Sequence, residues 1–189
     1  MSAELVERWF GAGFAGLHPL LQQLHRQGGV LQGEVELAIG SGLAGWLGRR
    51  LAAKLGLPLG ARRVPLRVDI HSDEAGLHWN RRFAESATLV SLFRPVGHWP
   101  DGHWEESTGA LRLALKVDSH DGGWRWVPIA AWVRGLRVPL FLLPRTTAYK
   151  RIEDGRYHFF VGFSLPGLGT LLSYSGGLEL VPAVVAEAG

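Results

Sequence analysis

The sequence predicts an α+β fold: a strongly curved antiparallel β-sheet or barrel, with an N-terminal helical region and one helix after the first strand. Three observations predict it. Apolar residues near the N-terminus recur at helical spacing between glycine and proline breaks. One early run alternates strictly between apolar and polar residues. From residue 62 onward, short alternating runs are separated by turn chemistry and no further helix pattern appears.

Taken in order, residues 1–27 read as helix, break, helix. Glu4 to Phe10 is short and amphipathic, and Gly11, Gly13 and Gly16 interrupt it. His18-Pro19 restarts the helix, with proline in the tolerated first turn, and Leu17, Leu20, Leu21 and Leu24 form a stripe. Gly28-Gly29 ends it. Val30 to Ile39 then alternates: Leu31, Gly33, Val35, Leu37 and Ile39 share one face, and Gln32, Glu34 and Glu36 the other. Ser41 caps a second helix, over 42–55, whose Leu43, Trp46, Leu47, Leu51 and Leu55 fall on one side. Gly56 and Pro58 stop it.

The remainder is punctuated at Asp73 to Gly76, Asp101-Gly102, Asp121 to Gly123 and Asp154-Gly155. Asp-Gly between alternating runs is a hairpin signal, and repeated hairpins build an antiparallel meander of about eight to ten strands. A four-residue loop at 73–76 sets one register. Ser72 then faces Leu77, Ile70 faces Trp79, Val68 faces Arg81 and Leu66 faces Phe83, all on one side. His71 opposite His78 and Asp69 opposite Asn80 lie on the other. The whole chain is expected to form a single domain, 1–189, with the curved sheet over 30–180 and a tail at 181–189.

Composition narrows the function classes. The 189 residues are 47% hydrophobic and 20% charged, which suits a globular core and not disorder. With no cysteine, disulfides, thiolate metal sites and cysteine nucleophiles are excluded. No basic n-region precedes an apolar stretch, and Arg134, Arg137 and Pro139 break the longest apolar passage, Val127 to Leu143. The expectation is therefore a cytoplasmic protein with no transmembrane segment. The net charge of +3 is small and the arginines are scattered, so nucleic acid is not the expected partner.

Arg81 is the first candidate for chemistry, because the register aims a permanently charged guanidinium into an aromatic and aliphatic face. Two readings follow: an anchor for a carboxylate or phosphate in an apolar pocket, or a structural pair with Glu106. Glu105-Glu106 is the one paired-carboxylate site beside a candidate core, so Glu106 is also a candidate general base. His71, His78 and Asp69 together have ligand types for a metal, but they fall on the hydrophilic face, where a solvated pair is the better reading; the same holds for His98, Asp101 and His103. No metal and no cofactor is expected. Gly40-Ser41-Gly42-Leu43-Ala44-Gly45 is a literal G-x-G-x-x-G between a strand and a helix. A dinucleotide fold needs further parallel strands, which the hairpins after residue 62 do not provide, so close helix–sheet packing explains the glycines instead. Trp124 with Trp126, and Tyr157, Phe159, Val161 and Phe163, form aromatic stripes that read as core or as the lining of a barrel cavity.

Five short pieces in order, Leu17-His18-Pro19, Leu57-Pro58, Trp79-Asn80-Arg81-Arg82-Phe83, Glu106-Ser107-Thr108-Gly109 and Tyr174-Ser175-Gly176-Gly177-Leu178, resemble a bacterial family of domains of unknown function. In some members of that family the domain follows a saccharopine-dehydrogenase-like NAD(P)-binding domain. The resemblance implies that His18, Trp79, Arg81, Phe83, Glu106 and Tyr174 occupy recurrent positions, and it supplies no activity.

Three function classes follow. The favoured one is binding of a small, largely apolar molecule with an acidic end, held by Arg81 among Trp79, Phe83 and Tyr174. The second is an enzyme (isomerase, cyclase or hydrolase) using the same cavity, with Glu106 or His18 as acid or base. The third is an accessory interaction domain for an oxidoreductase partner or the membrane surface, with Val138 to Pro144 as its exposed apolar patch.

Overall fold

The computed structural model describes residues 5–86 and 88–181. Its helices are α1 (Leu5–Phe10), α2 (Pro19–Gln27) and α3 (Gly42–Lys54). The strands are β1 (Gly29–Ile39), β2 (Arg63–Ser72), β3 (Leu77–Phe83), β4 (Leu89–Val96), β5 (His103–Thr108) and β6 (Leu111–Asp118). They continue as β7 (Trp124–Val133), β8 (Leu136–Val138), β9 (Arg145–Glu153), β10 (Arg156–Leu165) and β11 (Gly169–Val181). All pairings are antiparallel. β1 lies between β2 and β11, and the run from β2 round to β6 meets the run from β11 through β10 and β9 at β7. Ten strands thus close into a barrel, and β8 hangs from β7 as a flap. Closure removes the sheet edges except along the stretch where β7 leaves β9 to pair with β8.

The register of the first hairpin is the one expected from its turn: Ser72 faces Leu77, Ile70 faces Trp79, Val68 faces Arg81 and Leu66 faces Phe83. Asp73 fixes that turn, because its carboxylate accepts the backbone N–H groups of Ala75 and Gly76 at 2.8 and 3.2 Å. Gly76, at φ +143°, lies where an added Cβ would strike the Phe93 carbonyl oxygen, so the turn needs glycine. Alternation then sends Leu66, Val68 and Ile70 into the barrel. Bulges between Ala114 and Leu115 and between Phe163 and Ser164 bend two strands as the sheet curls.

One end of the barrel is plugged. Pro19 begins α2 and His18 caps it, its Nδ1 accepting the Leu20 N–H at 3.2 Å. The buried side chains of the N-terminal segment include Trp9, Phe10, Phe14, Leu17, Leu21 and Leu24. They meet the barrel's own tryptophans edge-on: Trp9 on Trp104 at 5.2 Å and Phe10 on Trp124 at 5.1 Å between ring centroids. Backbone bonds from His18 to Gly122 and from Trp99 to Trp9 fasten the plug to two barrel turns. Trp99, beside the Asp101-Gly102 turn, folds back against Phe10, since a large ring beside an apolar plug gains more by burial than by hydration.

α3 keeps Leu47, Leu51 and Leu55 of the expected stripe against the core and corrects the rest. Leu43 and Trp46 stand exposed, and the buried residues are Ala44, Gly45, Gly48 and Ala52. A Cβ on Gly48 would collide with the Leu171 carbonyl oxygen, so the helix lies too close to β11 for any larger residue. This close approach accounts for the glycine motif. β1, which precedes it, has antiparallel neighbours on both sides, not the parallel ones of a dinucleotide fold. The anticipated tail at 181–189 falls outside the described residues except for Val181.

Candidate functional site

Within the barrel lies a cavity of about 590 Å³, the size range of small-molecule sites. Its walls are mostly inward residues of the strands, including Leu31, Val68, Phe93, Trp126 and Phe159, with Leu51 and Leu55 of α3. The plug closes one end. Near the other, the wall splits: β7 pairs with β9 at Trp124, Arg125 and Trp126, then leaves it to pair with β8. The chain from β8 to β9 spans this gap. Leu140, Leu143 and Pro144 face the cavity, whereas Phe141 is 78% exposed.

Two polar groups interrupt the apolar lining. The first is built on Arg81 of β3. Alternation points it inward between Trp79 and Phe83, and its Nη2 donates to Ser91 Oγ at 2.6 Å. Ser91 Oγ lies 2.8 Å from Thr108 Oγ1, and the Thr108 hydroxyl donates to Glu106 at 3.3 Å. Glu106 itself is 3.6 Å from the guanidinium, and Tyr174 hydrogen-bonds to it from β11. Burial works against the charge of Arg81, but the Tyr174 hydroxyl and the Glu106 carboxylate outweigh it and raise the arginine above its ordinary value. Burial likewise raises Tyr174 and Tyr157, with Arg81 opposing in part. The buried Arg81 Nε has no hydrogen-bond partner among the described residues, an unmet donor beside the cavity.

The second group is at the floor. Lys150 of β9 is 3% exposed, and its Nζ lies 2.8 Å from His25 Nε2 of α2. The amine sits between two indole faces, 4.3 Å from the Trp79 centroid and 3.9 Å from that of Trp124. These faces attract a cation, yet among the described residues no carboxylate neutralises it, and burial holds the lysine well below its ordinary value. Burial, then the charge of Lys150, does the same to His25.

Of the residues singled out from the sequence, Trp79, Arg81, Glu106 and Tyr174 share the cavity wall. Phe83 is buried behind it, edge-on to Tyr174 at 5.4 Å. His18 is outside the cavity, capping α2. Tyr157, expected as core or cavity lining, lines the cavity, while sequence reasoning missed roles for Ser91, Thr108, Lys150 and His25. A signal existed for two of them: Lys150 alternates with Thr146, Ala148 and Ile152 on an inward face, and His25 follows Leu21 by four residues on the buried side of α2.

Among the described residues, His71, Asp73 and His78 have ligand atoms within 4.8 Å of one another. The two imidazoles stack in parallel at 4.6 Å, and His78 Nε2 lies 2.9 Å from the Asp73 carboxylate. The carboxylate expected with them, Asp69, is paired with Arg67 at 2.9 Å instead.

Among the described residues no helix is long and apolar enough to cross a membrane. No curated protein matches the chain. A family model does, over residues 17–178, and it is described as a domain of unknown function, DUF4166.

Proposed function

The chain belongs to this DUF4166 family, and we propose that it binds a small, largely apolar molecule with an acidic group inside its barrel. The observation that carries this reading is a hollow interior whose charges are unbalanced. Arg81, Arg145 and Lys150 line it against one carboxylate, Glu106. The long apolar wall suits a hydrocarbon body. An anion near Lys150 supplies charge that the protein leaves missing there and raises the depressed lysine back toward its ordinary value, and near Arg81 it accepts from the unmet Nε donor. A titration with a fluorescent conjugated fatty acid and its methyl ester tests this. The acid is expected to bind saturably and about tenfold or more tightly than the ester, with Lys150→Met and Arg81→Met each narrowing that ratio. No saturable binding, or equal affinity for acid and ester, overturns the reading.

Glu106 favours a second reading, an enzyme in the same cavity. Its carboxylate faces the space that a substrate would occupy and belongs to a hydrogen-bonded row with Thr108 and Ser91. Turnover lost and binding kept in Glu106→Gln would establish that role. The resemblance to domains fused behind a saccharopine-dehydrogenase-like unit favours an oxidoreductase as neighbour in the cell, with the barrel as its accessory.

A further inference from the structure

The barrel is chemically polarised along its axis. The turns at the plugged end, 73–76, 97–102, 119–123 and 154–155, contain Asp73, Glu74, Asp101, Asp121 and Asp154, all exposed, and no lysine or arginine. The plug itself adds exposed Arg8 and Arg26, the latter paired with Glu7 at 2.7 Å. The connections at the opposite end, 40–62, 84–88, 109–110, 134–144 and 166–168, contain Arg49, Arg50, Lys54, Arg62, Arg134 and Arg137, all exposed, against Glu85 alone. The chain has no carboxylate at all between Glu36 and Asp69, or between Asp121 and Glu153. These two stretches carry α3 and the flap.

Exposed apolar side chains segregate the same way. Leu43, Trp46, Leu59, Leu136, Phe141 and Leu142 all stand out at the basic end, with Phe141 and Leu136 at 78% and 75%. At the plugged end the corresponding exposed residue is Val96. Protruding apolar side chains among cations, with almost no carboxylate, fit an interface where anionic headgroups lie over hydrocarbon. The flap ties this surface to the interior, since Leu140 and Leu143 line the cavity while Phe141 and Leu142 point away from it.

We propose that the open end of the barrel, formed by α3 and the 134–144 flap, docks on the surface of an anionic phospholipid bilayer. Arginines contact headgroups, and Phe141 and Leu142 enter the acyl boundary. The split wall between β7 and β9 then opens toward the bilayer. Exchange of the bound molecule with the lipid through that gap rests on the binding reading above; the docking itself does not.

Flotation of the protein with phosphatidylcholine vesicles, and with vesicles also containing phosphatidylglycerol, tests the docking. Partition is expected only with the anionic vesicles, weakening as salt shortens the Debye length below about 10 Å. Phe141→Ser with Leu142→Ser, and Arg134→Gln with Arg137→Gln, are each expected to lower it about tenfold or more. All four positions are exposed, so unchanged thermal melts separate these effects from misfolding. Glu74→Gln with Asp101→Asn, at the plugged end, is expected to change partition less than threefold. Four outcomes overturn the proposal: no vesicle binding, equal binding to neutral vesicles, no effect of the flap changes, or an equally large response at the plugged end, which marks net charge alone. Retention of RNA without vesicle binding assigns the basic end to nucleic acid instead. Failure here leaves the fatty-acid titration untouched, so the two readings fail separately.

Discussion

Arg81 and Lys150 are both buried cations inside one barrel, and they are solvated in opposite ways. Arg81 is met by a carboxylate, a phenol and a row of hydroxyls, which keep it charged despite burial. Lys150 is met by an imidazole and two indole faces, with no anion. The difference teaches that a charge in a hydrophobic barrel becomes structural when the protein completes its shell, and a burden when it does not. The arginine group holds β3, β4, β5 and β11 together from within; the lysine depresses its own protonation.

The largest expected effect is at Arg81. Arg81→Met removes the cation and leaves the half-buried Glu106 without its ion pair, and a loss of about 3 kcal/mol in urea unfolding, the low end for a broken buried pair, is expected. Arg81→Met with Glu106→Gln should recover a good part of that loss. If the double variant is no more stable than the single one, the pairing is not what makes Arg81 structural.

Next in size is the pH response of the floor. Lys150 and His25 are bases whose folded-state values lie below 10.5 and 6.5, so the unfolded chain binds more protons in each window. Stability therefore rises with pH through both windows, and it is lost as pH falls below the ordinary values. The lysine alone gives a slope approaching about 1.4 kcal/mol per pH unit where it is protonated only in the unfolded chain. Tyr157 and Tyr174, raised by burial, act in the opposite sense at about pH 10 and above, so denaturant melts below that pH isolate the lysine. Lys150→Met is expected to be more stable than the native chain at neutral pH and to have a flat profile on the alkaline side. A profile identical to that of the native chain would mean that the indole faces keep the ammonium charged.

The smallest effect tests how far the arginine group extends. Thr108→Val keeps the shape and removes the hydroxyl between Ser91 and Glu106. Urea unfolding should show a loss of about 1 kcal/mol, while Arg81 keeps its direct contacts. No change would mean that the row of hydroxyls adds nothing beyond the ion pair.

Much of this architecture is legible in the sequence. The turn at Asp73 to Gly76 fixes an even register, and period two then places Arg81 with Trp79, Phe83 and Val68 on known sides. Glu106, a candidate partner because it belongs to the one carboxylate pair beside a candidate core, lies 3.6 Å away. The row formed by Ser91 and Thr108 was not legible, because hydroxyl residues are common in strands and nothing local distinguishes an inward serine. Lys150 was hidden by the opposite circumstance: a lysine beside Arg151 reads as a solvated charge until β9 is known to face β7 and α2.

By itself, the sequence determined the strand periodicity, the hairpins, the proline start of α2 and the presence of an arginine on an apolar face. Each of these depends on residues close in the chain, whose spacing alone sets which way a side chain points. The cap expected from Ser41 on α3 makes no side-chain bond, whereas His18 caps α2. Only the tertiary structure decided that the sheet closes, that the interior stays hollow, and that the lysine at its floor has no anion. Closure joins β6 to β7 and β9 to β7 across the barrel, and the plug brings His25 against Lys150 from the far end of the chain. Volume and charge balance inside such a space are sums over all its walls, and no single stretch of the chain contains them.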